Sequence, residues 1–242
     1  MDAAQREILA GNLKRIRERI AAACARVKRD PKDVTLIAVT KTVGPDVMQA
    51  LIELGVTDIG ENKLQAAQEK FPLVPLLRKY KPFEGLVRRH FIGHLQSNKV
   101  NGVLELFDVI HSIDSVKLAE RISAKSKEPI PSFLEVNVSG EASKEGVSPE
   151  ELESELLPKA SRCAHVVLQG LMTMAPISEK RELARPYFRK LRELSEKHPE
   201  LKWPNHLRCL SMGMSNDFEI AIEEGATHVR IGTALFEGIS PA

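Results

Sequence analysis

Apolar residues in the first stretch of the chain recur every three or four positions. Ile8, Leu9, Leu13, Ile16, Ile20 and Val27 follow that spacing, so residues 3–28 are predicted to form one amphipathic helix. Asp30-Pro31 ends it. VTLIAVT (34–40) follows, a short β-branched run with no polar alternation, which reads as a buried strand. The change of period then repeats. Helical spacing is found near 45–54, 62–79, 96–106, 115–127, 149–162, 180–198 and 216–224. Strand-like runs lie between: TDIG (57–60), RRHFIG (88–93), DVIHSI (108–113), SFLEVNV (132–138), VVLQGLMT (166–173), LRCLSM (207–212) and THVRIG (227–232).

Counting VTLIAVT, these are eight candidate strands separated by helices. Such alternation implies parallel pairing, because each crossover between parallel strands needs a helix. Eight units imply closure, so the expected fold is α/β, a single (β/α)8 TIM barrel with an extra N-terminal helix, and residues 1–242 form one domain. Little chain follows the last strand, so the N-terminal helix could supply the eighth outer helix. An open doubly wound sheet is the structural alternative. In barrels of this kind chemistry sits at the C-terminal ends of the strands. That rule selects Lys41, Glu61-Asn62, the segment from His90 to Lys99, Asn137-Val138-Ser139, Met172-Thr173-Met174, Ser211 to Ser215, and Arg230 to Thr233.

Composition narrows the classes. The 242 residues are 43% hydrophobic and 28% charged with a formal net charge of +2, ordinary for a soluble globular chain and too weakly basic to argue for nucleic acid. Cys24, Cys163 and Cys209 are dispersed and odd in number, which reads as reduced thiols of a cytoplasmic protein. The N-terminus has no unbroken apolar stretch, and Asp2, Glu7 and Glu18 oppose a transit peptide. Neither a membrane span nor a leader is expected.

Lys41, in AVTKT, directly follows an apolar strand. That position places its ammonium at the barrel mouth, where partial desolvation would favour the neutral, nucleophilic amine that forms Schiff bases. SMGMS (211–215) and RIGT (230–233) follow the last two strands, the recurrent phosphate site of these barrels. Gly213 and Gly232 would let the backbone approach a ligand, Ser211, Ser215 and Thr233 offer hydroxyls, and a helix starting near Asn216 would aim free N–H groups at the same place. Arg230 lies inside a strand, where an inward arginine needs a partner. Either it pairs with a core carboxylate such as Glu135 or it donates to a ligand, and spacing alone does not choose. His90 and His94 straddle Gly93 without a carboxylate at matching spacing, which argues against zinc.

Taken in order, AVTKT (38–42), IGENKLQ (59–65), HFIGHLQSNK (90–99), EVNVSGEASKEG (135–146), GLMTMAP (170–176), SMGMSNDFEIAI (211–222) and VRIGTALFEG (229–238) resemble the pyridoxal phosphate homeostasis family, proteins similar to the barrel domain of alanine racemase, fold type III. The resemblance runs from Lys14 to Gly238. It implies pyridoxal 5′-phosphate (PLP) as cofactor, held as a Schiff base on Lys41. It also implies that Asn62 approaches the ring and that Arg230 faces the pyridine nitrogen. Ser211 and the turn through Met214, with Gly232 and Thr233, would hold the phosphate. Two positions depart from the family pattern: Lys63 stands where Tyr is usual, and His94 where Pro, Ser or Thr is usual.

The function so implied is PLP binding and buffering in vitamin B6 balance with little or no catalysis, since an arginine cannot accept a pyridinium proton and so weakens the ring as an electron sink. The chain ends soon after the eighth strand, without the β-rich domain and partner tyrosine of alanine racemases. The expected partners are PLP and PLP-requiring apo-enzymes, with no nucleic acid or membrane, and a monomer is expected. A PLP-dependent amino-acid racemase is the alternative; a Schiff-base aldolase without PLP is a third reading.

Overall fold

The computed structural model describes residues 1–77, 87–141, 144–198 and 209–239. Eight parallel strands close in sequence order into a barrel, β1 through β8, with β1 paired to both β2 and β8. The strands are β1 (Thr35–Val39), β2 (Asp58–Glu61), β3 (Arg88–Phe91), β4 (Val109–Ile113), β5 (Ile130–Glu135), β6 (Val166–Met172), β7 (Cys209–Met214) and β8 (His228–Ile231). The predicted barrel is the observed architecture. The N-terminal helix α1 (Ala3–Arg26) closes the outer ring. It packs against α2 (Pro45–Glu53) and, across the β8–β1 seam, against the last helix (Phe218–Glu223). Asn12 ties it down by donating to the carbonyls of Leu235 (3.0 Å) and Glu237 (2.8 Å).

The other helices on the ring are α3 (Leu64–Lys70), α4 (Val100–Leu106), α5 (Val116–Lys125), α6 (Pro149–Glu151), α7 (Leu157–Ala160), α8 (Arg185–Glu196) and α9, the Phe218–Glu223 helix. Prolines explain where they fall short of the periodic pattern. The helix expected over 62–79 stops at Lys70 and gives way to 3₁₀ turns around Pro72 and Pro75, which lack the amide that an α-turn needs. Residues 78 and 79 of that expectation lie outside the described residues. Between α6 and α7 the chain widens into a π-turn (Leu152–Leu156) just ahead of Pro158. The helix expected from 180 begins at Arg185, with Pro186 in its first turn.

Strand ends also moved. β5 starts two residues before the expected 132–138 run and ends at Glu135, so Asn137-Val138-Ser139 forms a loop. There the Asn137 carboxamide accepts from the Ser139 hydroxyl (2.9 Å) and the Gly140 amide (3.0 Å), a side-chain-closed turn that outcompetes pairing. β7 runs on to Met214; the expected residues 207 and 208 at its start lie outside the described residues.

The larger core lies between the sheet and the helices, with Ala38, Ile59, Phe91, Ile110, Leu134, Leu171, Leu210 and Val229 facing outward from the strands. A smaller cluster, Val109, Phe133, Met172 and Cys209, fills part of the barrel interior. Much of the remaining interior is polar, whereas barrels of this class are usually filled by branched apolar side chains. Among the described residues no helix is long and apolar enough to cross a membrane.

Candidate functional site

Lys41 sits in the turn directly after β1, two residues beyond Val39. It is exposed, and its ammonium has no ion-pair partner among the described residues. The expected partial desolvation is therefore not seen in the exposure of its side chain. What holds the turn lies beneath it. Lys70 on α3 donates to the carbonyls of Thr40 (2.9 Å) and Val43 (3.5 Å) and pairs with the Glu61 carboxylate. The same Glu61 oxygen accepts from the Thr40 hydroxyl at 2.8 Å. Glu61 is 0% exposed, and its other oxygen has no partner. Thr40, immediately before Lys41, is thus bound through backbone and side chain.

Asn62 follows β2 at the same rim and is half-buried. A Cβ on Gly93 would lie 2.0 Å from the Asn62 carbonyl oxygen, so the two loops touch backbone to backbone and only glycine fits there.

The turns after β7 and β8 form the opposite wall. Gly213 has φ +92°, and a Cβ there would lie 2.6 Å from the Ala221 Cβ and 2.9 Å from the Phe218 Cα, so glycine is required for the turn and for the approach of α9. The Ser215 hydroxyl accepts from the Ala234 amide at 3.2 Å, joining the two turns. The Met214 amide is taken by the Asp217 carboxylate at 2.7 Å. The amides of Ser215 and Thr233 have no acceptor among the described residues. Thr233 is exposed, and Gly232 packs so closely on Val39 of β1 that an added Cβ would lie 3.1 Å from its carbonyl oxygen. The result is a cradle of free amides and a hydroxyl beside Lys41, on the neighbouring strand.

Arg230 points into the barrel and is buried. It donates to the Ser211 carbonyl (2.8 Å), the Ser211 hydroxyl (2.6 Å) and the Thr173 carbonyl (2.9 Å). No carboxylate lies within ion-pair distance of it among the described residues, so the pairing with Glu135 left open by the sequence is not formed. Burial pulls the Arg230 guanidinium down to about 10, against the opposing fields of Glu135 and Asp217, which leaves it charged at neutral pH. Glu135, 3% exposed at the end of β5, is pushed up to about 7 by burial, against the field of Arg230, with Asp114 and Glu145 raising it further.

Below Arg230 a polar column crosses the barrel interior. The Ser211 hydroxyl lies 2.8 Å from His111 Nδ1, His111 Nε2 lies 2.9 Å from His90 Nδ1, and His90 Nε2 lies 2.8 Å from the Asp58 carboxylate. Arg88 pairs with the same Asp58 oxygen at 2.8 Å from the N-terminal mouth. All of Ser211, His111, His90 and Asp58 are buried.

Against the expected site, Lys41, Asn62, Gly232, Thr233 and the Gly213–Ser215 turn meet at one rim, with Arg230 just beneath. Two assignments change in detail. The Ser211 hydroxyl faces into the barrel between Arg230 and His111, not into the cradle, because strand alternation puts it on the same face as Cys209. The Met214 amide is already bound, as noted above, and the free amide of the turn belongs to Ser215. Sequence reasoning missed the Asp58–His90–His111 column and the Lys70–Glu61 clamp. The signal for the column was there: His90, His111 and His228 each interrupt a strand-like run. His94 is at the rim between Asp114 (3.4 Å) and Glu145 (3.5 Å), and the three bring ligand-type atoms within 4.8 Å of one another. The carboxylates come from other loops, which spacing along the chain could not reveal; the close contacts of His94 with both account for the cluster.

Residues 6–241 match the family model for the alanine racemase N-terminal domain. A pyridoxal phosphate homeostasis protein of Aquifex aeolicus is 43% identical over 93% of this chain and 95% of its own length. PipY of Synechococcus elongatus, solved with PLP bound, superposes with a TM-score of 0.74 at 33% identity, over 90% of this chain and 99% of that one. An alanine racemase of Clostridium difficile shares the fold alone, at 12% identity and a TM-score of 0.69, with 95% of this chain matching 56% of that one. This chain belongs to the pyridoxal phosphate homeostasis protein family, among the proteins built on the alanine racemase N-terminal domain.

Proposed function

We propose that this protein binds PLP covalently on Lys41 and holds it in reserve for PLP-requiring apo-enzymes, with residues 1–242 acting as one cofactor-binding unit in the cytoplasm. The observation that carries the reading is the pairing, on adjacent strands, of a solvent-facing lysine with a glycine-lined cradle of unengaged amides, above a buried arginine. These groups fit the cofactor: an amine for its aldehyde, amide and hydroxyl donors for its phosphate, and a fixed donor for its ring nitrogen. PLP would supply an aldehyde that condenses with the Lys41 amine with loss of water, and a ring that withdraws electrons from an attached carbon.

Each residue then has a defined task. The Lys70–Glu61–Thr40 clamp orients the Lys41 turn. The Ser215 and Thr233 amides, the Thr233 hydroxyl and the close backbones at Gly213 and Gly232 receive the phosphate. Asn62 borders the ring. Arg230 has five N–H donors and uses three contacts within the protein, which leaves donors for the ring nitrogen and no site to accept a proton from it. That arrangement supports storage over carbanion chemistry.

The test is the visible absorption of the purified protein mixed with PLP, before and after borohydride reduction, with mass mapping of the modified lysine. Lys41→Ala should abolish the band and the reducible adduct; an unchanged band in that variant refutes the assignment. One feature bears on the racemase alternative: Glu135 is a carboxyl buried at the end of β5, where burial pushes it up to about 7. Deuterium incorporation at Cα of alanine at a rate near the enzyme median of about 10 s⁻¹ would promote that alternative.

A further inference from the structure

We propose that Asp58, His90, His111 and Ser211 form a positioning relay with a single direction of hydrogen bonding, which orients Arg230 and is anchored by a carboxylate at the far end of the barrel. The inference rests on the reading that the rim above Arg230 receives PLP.

The direction follows from donor and acceptor accounting. A guanidinium only donates, so the Ser211 oxygen accepts from Arg230 at 2.6 Å. The Ser211 hydroxyl proton must then go elsewhere. Ser211 is buried, and among the described residues the one other side-chain partner of its hydroxyl is His111 Nδ1, so that nitrogen accepts. His111 therefore carries its proton on Nε2 and donates it to His90 Nδ1. His90 in turn keeps its proton on Nε2 and donates to Asp58, which as a carboxylate only accepts. Every bond in the column points from the cation at the top to the anion at the bottom. Burial independently favours an uncharged His111, and the fields of Arg230 and Arg88 act in the same sense. Against its own burial, the Asp58 carboxyl is held down near 2 by hydrogen bonds from His90 and Thr57 and by the charge of Arg88, so the lower end stays anionic.

The surroundings leave little freedom. Phe133 of β5 stacks on the His111 ring at 4.4 Å, and His228 of β8 lies edge-on to His111 with centroids 6.1 Å apart. The Thr227 hydroxyl bonds the His228 ring at 2.9 Å, so His228 stands beside the column without joining it. Cys209 of β7 lines the same interior. A buried guanidinium without a nearby carboxylate would turn toward Glu135, the carboxyl whose field it feels first. The relay opposes that turn: the Ser211 oxygens and the Thr173 carbonyl hold the guanidinium, and Glu135 has no ion-pair partner among the described residues.

The experiment has two arms. In the first, side-chain ¹⁵N NMR of the apoprotein reads the tautomers directly. The expected result is both His111 and His90 protonated on Nε2 alone and coupled through one hydrogen bond; an Nδ1-protonated His111, or a doubly protonated His90 near neutral pH, overturns the proposal. In the second, the pH midpoint of the visible band of the PLP-loaded protein is compared in wild type, Asp58→Asn and Ser211→Ala. Asp58→Asn keeps an acceptor but removes the charge, and should shift the midpoint by roughly half a pH unit or more with PLP affinity changed less than about threefold. Ser211→Ala should shift it as well and abolish the His111 signature, and Ser211→Thr should restore both. Unmoved midpoints in folded variants overturn the proposal. A missing Lys41 adduct in wild type overturns the binding reading and with it the ring role of the relay, while the apoprotein spectra still decide the proton order.

Discussion

Replacing Lys70 by methionine tests the clamp under the Lys41 turn. The Lys70 side chain is 13% exposed and the Glu61 side chain 0%. Methionine preserves the aliphatic stem but removes the cation, leaving Glu61 buried with only the Thr40 hydroxyl as partner. Breaking a buried ion pair from one side costs about 3–5 kcal/mol. The partial exposure of Lys70 lets water reach the site, so a loss of about 2–3 kcal/mol is expected. For a chain of this size that corresponds to a melting temperature lower by about 4–12 °C. The loss should be specific to the orphaned carboxylate. Glu61→Gln added to Lys70→Met should recover a large part of it, with a coupling energy of about 1–3 kcal/mol in the double-mutant cycle.

The same variant should reach the chemistry without touching it. Lys70 also holds the Thr40 and Val43 carbonyls that flank Lys41. Freeing them should weaken PLP binding and slow adduct formation, even below the melting transition. Urea titration of the apoprotein and PLP titration by absorbance give the two readouts. A stability change under about 1 kcal/mol together with wild-type PLP binding would show that the Glu61–Lys70 pair is an incidental contact and refute the clamp.

Glu135 predicts a pH dependence. Its folded-state value is raised from the ordinary 4.5 to about 7, so between those limits the folded protein binds more protons than the unfolded chain, and stability falls as pH rises through that window. The full difference corresponds to about 3 kcal/mol, so Glu135→Gln should be more stable than wild type at about pH 8 and not at about pH 4; parallel stability curves from denaturant titration across that range would contradict it. At the cradle, charge-assisted bonds from the Ser215 and Thr233 donors to phosphate contribute about 1.5–3 kcal/mol each. Pyridoxal lacking the phosphate should therefore bind at least about tenfold more weakly than PLP, and equal dissociation constants would remove the phosphate assignment.

The barrel and its rim were legible for different reasons. Strand and helix alternate with unlike periods, so eight units could be counted even where ends slipped by a few residues. Lys41, Gly232 and Thr233 stand directly after apolar runs, and position relative to a strand end survives small boundary errors. Interior chemistry is harder to read. A strand buried on both faces, such as VTLIAVT, shows no alternation, so the sequence does not say which parity points inward. For that reason His90 was weighed with His94 as a metal pair, when its actual partners, Asp58 and His111, are on β2 and β4. The Ser211 hydroxyl was misdirected by the same ambiguity. The Glu61–Lys70 clamp spans a strand end and a helix end, nine positions apart, a separation that matches neither period.

The polar column also explains why Arg230 can sit unpaired in a barrel. Burying a guanidinium without compensation is strongly unfavourable. A carboxylate beside it would solve that problem, but would also draw its free donors and neutralise its field where the ring nitrogen is expected. The structure divides the task. Neutral acceptors, the Ser211 oxygens and the Thr173 carbonyl, fix the fork near the rim. The carboxylate that anchors the column, Asp58, is placed two histidines away, where Arg88 and His90 share it; the fields that act on Arg230 itself are those of Glu135 and Asp217. A lysine at 230 could not reproduce this, since one ammonium cannot reach two carbonyls and a hydroxyl in the plane of a fork and still present donors upward. The planar fork and the histidine column therefore depend on each other. Together they give the rim a fixed donor that stays charged at neutral pH, which suits a protein that holds PLP more than one that draws electrons through it.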